Sequence, residues 1–191
     1  MFYRPADGHG LPHSPFNAIV SPRPIGWIST RGPKGDNLAP YSFFNAIAYD
    51  PPQIMFSGDT LDTVAAIRET RHFAVNTVSR PLWHAMNQTS APFPRGTDEF
   101  IACGVEKAEC QTINCPRVAQ ACATLECEAT QIIDLEGNDN TLIIARVEAI
   151  HIADNALTEG RFDVVKAQMM ARLGYMDYLQ VTDLIELKRP R

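Results

Sequence analysis

The 191-residue chain is short of several features, and each shortage removes a class of function. No apolar run approaches the about 18 residues that a membrane-spanning helix needs, so no membrane partner is expected. The N-terminus, MFYRPADGHGLPH, lacks the apolar stretch that follows a charged start in a secretory signal, which points to an intracellular, cytoplasmic protein. Basic residues form no run and the net charge is −5, so the concentrated positive face required by nucleic acid is missing. None of the patterns GxSxG, HExxH, GxxxxGK[ST] or GxGxxG occurs, and hydrolase and P-loop chemistry fall away with them. The five cysteines, at 103, 110, 115, 122 and 127, include no CxxC pair, and His84 and His151 lie outside their span. They read as small buried apolar residues in a reducing compartment rather than as metal ligands.

What is present is ordinary globular material, 45% hydrophobic and 20% charged, enough for one domain with an unstapled core. Residues 1–16, rich in Gly, Pro and His, read as an arm, and residues 17–191 as the domain. IGWIST (25–30) has strand texture, RGPKGDN (31–37) is a turn, and LAPYSFFNAIA (38–48) is the returning strand of a hairpin with a longer loop. QIMFS (53–57) and HFAVNTV (72–78) are further strands. Between them VAAIRET is a short helix that either Asp62 or Thr63 can cap. A second helical segment runs from Ser79 to about Gln88, and Thr97-Asp98-Glu99 opens a third. ATLECEATQIIDL and TLIIARVEAIHIA flank EGNDN as a long hairpin, and an aromatic, apolar tail has the means to pack against something. Many short strands with few helices predict a mainly β fold, a small barrel with helices at its ends.

Binding groups rather than acid–base pairs stand out. In APYSFFNAIAYDPP (39–52), Tyr41, Phe43 and Phe44 surround Ser42, and neither face of the strand is clearly polar, so both are expected to be covered. Ser29 and Thr30 end one strand, Ser57 ends another, and Asp62-Thr63 begin a helix whose N–H and O–H donors suit a phosphate. Trp27, Tyr41, Phe43 and Phe44 offer flat apolar surface suited to a ring system. Phosphate plus ring describes a mononucleotide-like cofactor; the alternative is aromatic residues in the core and serines satisfying local backbone groups.

SPRPIGWIST (21–30), NLAPYSFFNAIAYDPPQIMFS (37–57), DT (62–63), FAVN (73–76), DEF (98–100), LEC (125–127), RLG (172–174), Tyr178 and KRP (188–190) occur in one order. In that combination the chain resembles the flavin reductase-like, FMN-binding split-barrel family, including its flavoredoxin-like branch. The resemblance implies a split β-barrel homodimer that binds FMN near the subunit interface and takes hydride from NAD(P)H. Electrons would pass to a separate monooxygenase or another acceptor; the alternative is an FMN-binding electron carrier without nicotinamide turnover. Carried over, Trp27, Ile28, Ser29 and Thr30 border the ring and ribityl chain, and Ala39, Pro40, Tyr41, Ser42, Phe43 and Phe44 contact the flavin. Ser57, Asp62 and Thr63 lie near the ribityl-phosphate end, and Arg172, with Gly174 and Tyr178, approaches from the C-terminal segment. Family members commonly read Lys-Asp-Thr where this chain has Leu61-Asp62-Thr63, so Arg23, Arg68 or neutral donors would have to replace the lysine.

Overall fold

The computed structural model describes residues 1–59, 61–137 and 139–190. A 3-10 turn, Pro5–Asp7, and helix α1, Phe16–Ile19, precede the sheets, and neither has a buried residue. Strands β1 (Arg23–Pro24), β2 (Gly26–Gly32), β3 (Gly35–Tyr41), β4 (Phe44–Tyr49) and β5 (Pro52–Asp59) follow closely. Helix α2 (Asp62–Thr70) leads into β6 (His72–Asn76), and then come α3 (Trp83–Gln88) and α4 (Glu99–Ala102). A small hairpin, β7 (Lys107–Glu109) and β8 (Pro116–Val118), precedes the long one, β9 (Ala123–Asp134) and β10 (Asn140–Ile152). The C-terminal part holds β11 (Leu157–Thr158), β12 (Arg161–Phe162), β13 (Met170–Arg172) and β14 (Tyr178–Gln180). Among the described residues no helix is long and apolar enough to cross a membrane.

Seven strands form one antiparallel sheet in the order β3-β2-β6-β9-β10-β5-β4. Its two outermost strands, β3 and β4, are separated in sequence only by Ser42 and Phe43, so the sheet must curl until its ends meet. They do meet: Tyr41 packs on Phe56 with ring centroids 5.0 Å apart, and the Ser57 N–H donates to the Phe43 carbonyl at 2.8 Å. Register shifts in the β9–β10 pairing, which bend strands, assist the curl. Among the described residues no ladder joins β3 to β4, so the barrel is split along that seam. Gly58 permits the closure, since a Cβ there would stand 2.2 Å from Cε1 of Tyr41.

The period of two along β2 feeds two cores. Ile28 points into the barrel with Phe56, Phe73, Val75 and Ile143, where Ile67 of α2 closes one end. Trp27 points the other way, into a layer with Leu38, Met86, Phe100 and Val118 under α3 and α4. Helices thus sit at a barrel end, as the sequence predicts, and also on one outer face.

Several expectations need correction. The 31–37 loop shrinks to a turn at Pro33-Lys34, because Gly35 takes φ +114° and lets β3 begin at once. The strand expected over 38–48 breaks at Ser42-Phe43, and the chain by itself leaves β4 largely uncovered, with Ile47 47% exposed and Tyr49 96%. Neither Asp62 nor Thr63 caps α2; both lie inside it, and Leu61 stands at the N-cap without a side-chain bond. Helix α3 begins at Trp83 rather than near Ser79, whereas Asp98 caps α4 by accepting from the Ile101 N–H. The first part of the aromatic, apolar tail does pack, as β14 with Tyr178 against the core, whereas Ile185 and Leu187 beyond it are exposed.

Candidate functional site

The outer edge of β3 is where binding groups collect. Leu38 turns its N–H away from β2 and donates it to Glu99 Oε2 at 2.9 Å. Two residues on, the backbone faces the same way, but that position is Pro40, which has no N–H to offer. This edge therefore stays open without inviting another strand.

Two cavities lie along that edge and share Pro40 and Ser90, so they form one groove. The first, about 350 Å³, is lined by Ile25, Pro40, Ser42, Met86, Asn87, Ser90, Arg172, Met176 and Tyr178. The second, about 270 Å³, runs to the start of α2 past Ala39, Tyr41, Asp59, Leu61, Asp62 and Thr63, under a roof of Thr89 to Phe93. That roof is pinned from below: the Trp27 indole N–H donates to Thr89 Oγ1 at 2.9 Å, and the Thr89 hydroxyl donates to the Met86 carbonyl at 2.8 Å.

At the α2 end the polar groups are largely engaged with one another. Asp62 Oδ2 accepts the Gly96 N–H at 3.0 Å, and Thr63 Oγ1 accepts from Asn37 Nδ2 at 2.7 Å. Burial raises the pKa of Glu99, opposed by the Leu38 N–H that its carboxylate accepts. Burial likewise pushes the Tyr41 phenol up to about 12, although a hydrogen bond with Thr63 acts in the opposite sense. Among the described residues no Lys or Arg lines this end. Arg68 is held by Asp134 and Thr141, and Arg23 by the carbonyls of Asn17, Val20 and Leu173. Neither takes the place of a lysine at position 61. The positive charge lies at the other end, where the Arg172 guanidinium stands 4.5 Å over the Tyr178 ring and donates to the Tyr175 carbonyl.

Of the residues singled out from the sequence, the groove brings together Ala39, Pro40, Tyr41, Ser42, Asp62, Thr63 and Arg172. Trp27, Ile28, Ser29 and Thr30 are fully buried, and their strand is paired on both sides, so they lie behind the wall and hold it in place. Ser29, for example, donates to the Pro116 carbonyl at 2.7 Å and accepts from Asn76. Phe44 packs beside the barrel core over Gly26, while Phe43 and Ser57 join β4 to β5 at the seam. Gly174 meets Ala18 of α1 instead of the groove. Asn87, at the end of α3, and the roof at Thr89–Phe93 escaped sequence reasoning, because a helix end and the short loop after it carry no more signal than any other turn.

The family model described as the flavin reductase like domain matches residues 20–176. The chain belongs to that family. An uncharacterized protein of Deinococcus radiodurans is 33% identical over 187 residues, covering 90% of this chain and 82% of its own length. Component B of nitrilotriacetate monooxygenase from Bacillus cereus superposes with a TM-score of 0.86 at 27% identity, covering 90% of each chain. The 2-nitrobenzoate 2-nitroreductase of Pseudomonas fluorescens superposes with a TM-score of 0.84 at 30% identity, covering 92% of this chain and 88% of the other. The split barrel of the flavin reductase-like family is therefore the fold of this chain.

Proposed function

We propose that the groove along β3 holds FMN and that the protein is an NAD(P)H-dependent flavin oxidoreductase, passing electrons to a separate monooxygenase or other acceptor. One observation carries this reading: an open strand edge, stripped of its N–H at Pro40, lies between a hydroxyl-bearing loop and the first turn of a helix. Pockets of about 300–1,000 Å³ with apolar walls and few polar groups suit a cofactor of this size. The residues fit its parts. Ile25, Pro40 and Met86 give apolar walls for the ring in the larger cavity, Ser42 and Ser90 give hydroxyls for the ribityl chain toward the junction, and the first turn of α2 turns its N–H end to the phosphate in the smaller cavity. Ser57 and Thr63 belong to that phosphate end in this reading, and Trp27 to Thr30 act from beneath.

A bound flavin supplies two-electron redox chemistry, accepting hydride from a reduced nicotinamide. The chain's own part is to orient and to exclude water. Asp62 and Glu99 each accept a backbone N–H at that end, from Gly96 and Leu38, which fixes the orientation of their carboxylates. The monooxygenase component and nitroreductase among the similar structures support a redox role and a partner acceptor. The exposed apolar residues of β4, Ile47 and Tyr49, support a homodimer in which a second copy covers them.

Purified protein titrated with FMN and then assayed for NADH and NADPH oxidation tests the reading. Visible flavin absorbance and turnover with one nucleotide are expected, with a dimer in sedimentation. Tight flavin with no turnover would replace the reductase by an electron carrier, and a colourless chain that binds no added FMN would remove the cofactor altogether.

A further inference from the structure

Several arginines of this acidic chain grip carboxylates. Arg31 grips Asp36 and Glu109, Arg68 grips Asp134, and Arg146 grips Glu128 and Glu148. Arg23 and Arg172 have no such partner among the described residues, although they are direct cross-strand neighbours in the β1–β13 pairing. Like charges placed opposite one another in a sheet repel and destabilise it. Arg23 is only 8% exposed, and its Nε is buried without a hydrogen-bond partner among the described residues. Burial, followed by the charge of Arg172, lowers its pKa. Arg172 is stacked on Tyr178, so its guanidinium is held rigid at the wall of the larger cavity, beside Ser42, Asn87 and Ser90. The stack continues outward: Tyr178 meets Trp83 edge-on at 5.9 Å, and Arg80 lies 4.3 Å over Trp83.

A sheet that tolerates two facing guanidinium groups without a carboxylate has positive charge to spare for an anion that is not part of the chain. We infer that Arg172, backed by Arg23, is the docking point for the anionic group of the second substrate, a flat molecule whose ring lies along Tyr178 and whose phosphate or carboxylate the guanidinium grips. A planar fork of donors matches either group. The inference rests on the flavin reading for its geometry, since the flavin phosphate is assigned to the α2 end and leaves Arg172 free. Two sources share this chemistry: the pyrophosphate of a nicotinamide dinucleotide donor and the carboxylate of an aromatic acceptor.

The test is equilibrium binding of ADP-ribose and of benzoate, by calorimetry, to the FMN-saturated wild type and to Arg172→Gln, with FMN and riboflavin affinities measured in parallel. The expected result is a loss of about tenfold or more for one probe in Arg172→Gln, with the ratio of FMN to riboflavin affinity unchanged. The probe affected identifies the source. Arg172→Lys, which keeps the charge but not the fork, is expected to lose less. Equal losses in the two variants would indicate packing and overturn the inference. So would a wild type that binds neither probe, or a variant that loses FMN relative to riboflavin, because Arg172 would then hold the flavin's own phosphate. A wild type that binds neither flavin sinks the flavin reading itself, and the probe titrations repeated on the flavin-free chain still decide whether Arg172 grips an anion.

Discussion

Replacing Leu61 by lysine restores the residue that family members commonly carry, at a position whose surroundings are known here. Leu61 is 49% exposed, at the N-cap of α2, between Asp59 and Asp62 on the wall of the smaller cavity. Among the described residues no Lys or Arg lines the smaller cavity, and Arg23 and Arg68 are committed elsewhere. A lysine there has one unfavourable effect and two favourable ones. It meets the positive end of the helix dipole, which costs about 0.3–1 kcal/mol, and it meets the neighbouring carboxylates, which return a similar amount. The stability of the flavin-free protein should therefore change little. Toward a phosphate, an exposed ion contact is worth about 0.2–1 kcal/mol, and one desolvated by the flavin about 1.5–3 kcal/mol.

The expected result is a tightening of FMN binding by up to about fivefold if the pair stays exposed and by roughly tenfold or more if the flavin desolvates it, read from flavin fluorescence titrations. Riboflavin, which lacks the phosphate, should bind Leu61→Lys as it binds the wild type. The gain should shrink as salt is raised, because a half-exposed pair is screened over a Debye length of about 10 Å at 0.1 M. An equal tightening of riboflavin would show that the lysine stem, not its charge, is responsible. An unchanged FMN affinity at low salt would refute the assignment of the phosphate to the α2 end.

Other outcomes follow from the same geometry. Ser42→Trp fills the larger cavity beside Asn87 and Arg172 and should abolish flavin binding with the circular dichroism spectrum retained; unchanged affinity would reject the placement of Ser42. Gly58→Ala sets a methyl 2.2 Å from the Tyr41 ring, so the seam must shift at a cost of about 1–3 kcal/mol, seen as a Tm lower by roughly 2–10 °C; an unaltered Tm would mean that the seam is slack. Burial pulls the pKa of Glu126 up, but the Thr112 hydroxyl, the Gln111 and Thr112 amides and His151 outweigh it and hold the group at about 2. Its contribution is thus fully present above its ordinary value of 4.5 and is lost as pH falls toward 2. Denaturant unfolding across that range should show a shallower acid loss in Glu126→Gln than in the wild type, and identical slopes would show that the carboxylate is not responsible.

Much of the framework was legible because it rests on local chemistry. The β9–β10 hairpin announced itself through long strands around EGNDN, and α4 through Asp98, whose carboxylate does cap it. The break at Ser42-Phe43 was not legible, since no Gly or Pro marks it and the apolar texture runs on unbroken. What ends β3 there is tertiary: the sheet curls, Tyr41 lands on Phe56 and Gly58, and the chain crosses the seam. The site divides along the same line. Ser42, Asp62 and Thr63 stood out as binding groups, Pro40 and Arg172 came from family resemblance, and all converge on one groove, whereas Trp27 to Thr30 are enclosed. Strand residues two apart share a face, but a sequence does not say which face is inside when both are apolar.

The seam and the groove are consequences of one structural decision. Had β3 paired with β4, the barrel would be closed and the outer edge of β3 would be consumed by a ladder. Because side-chain packing of Tyr41 on Phe56 rather than a ladder closes the gap among the described residues, the outer edge of β3 at Pro40 stays available to a ligand. A free edge is an aggregation hazard, and the chain blunts it residue by residue. The Leu38 N–H is taken by Glu99, position 40 is proline, and the Thr89–Phe93 roof, pinned through Trp27, covers what remains. The buried tryptophan of RPIGWIST thus serves the groove without lining it: its removal should loosen the roof, and ligand affinity should fall even though no contact to the ligand is lost.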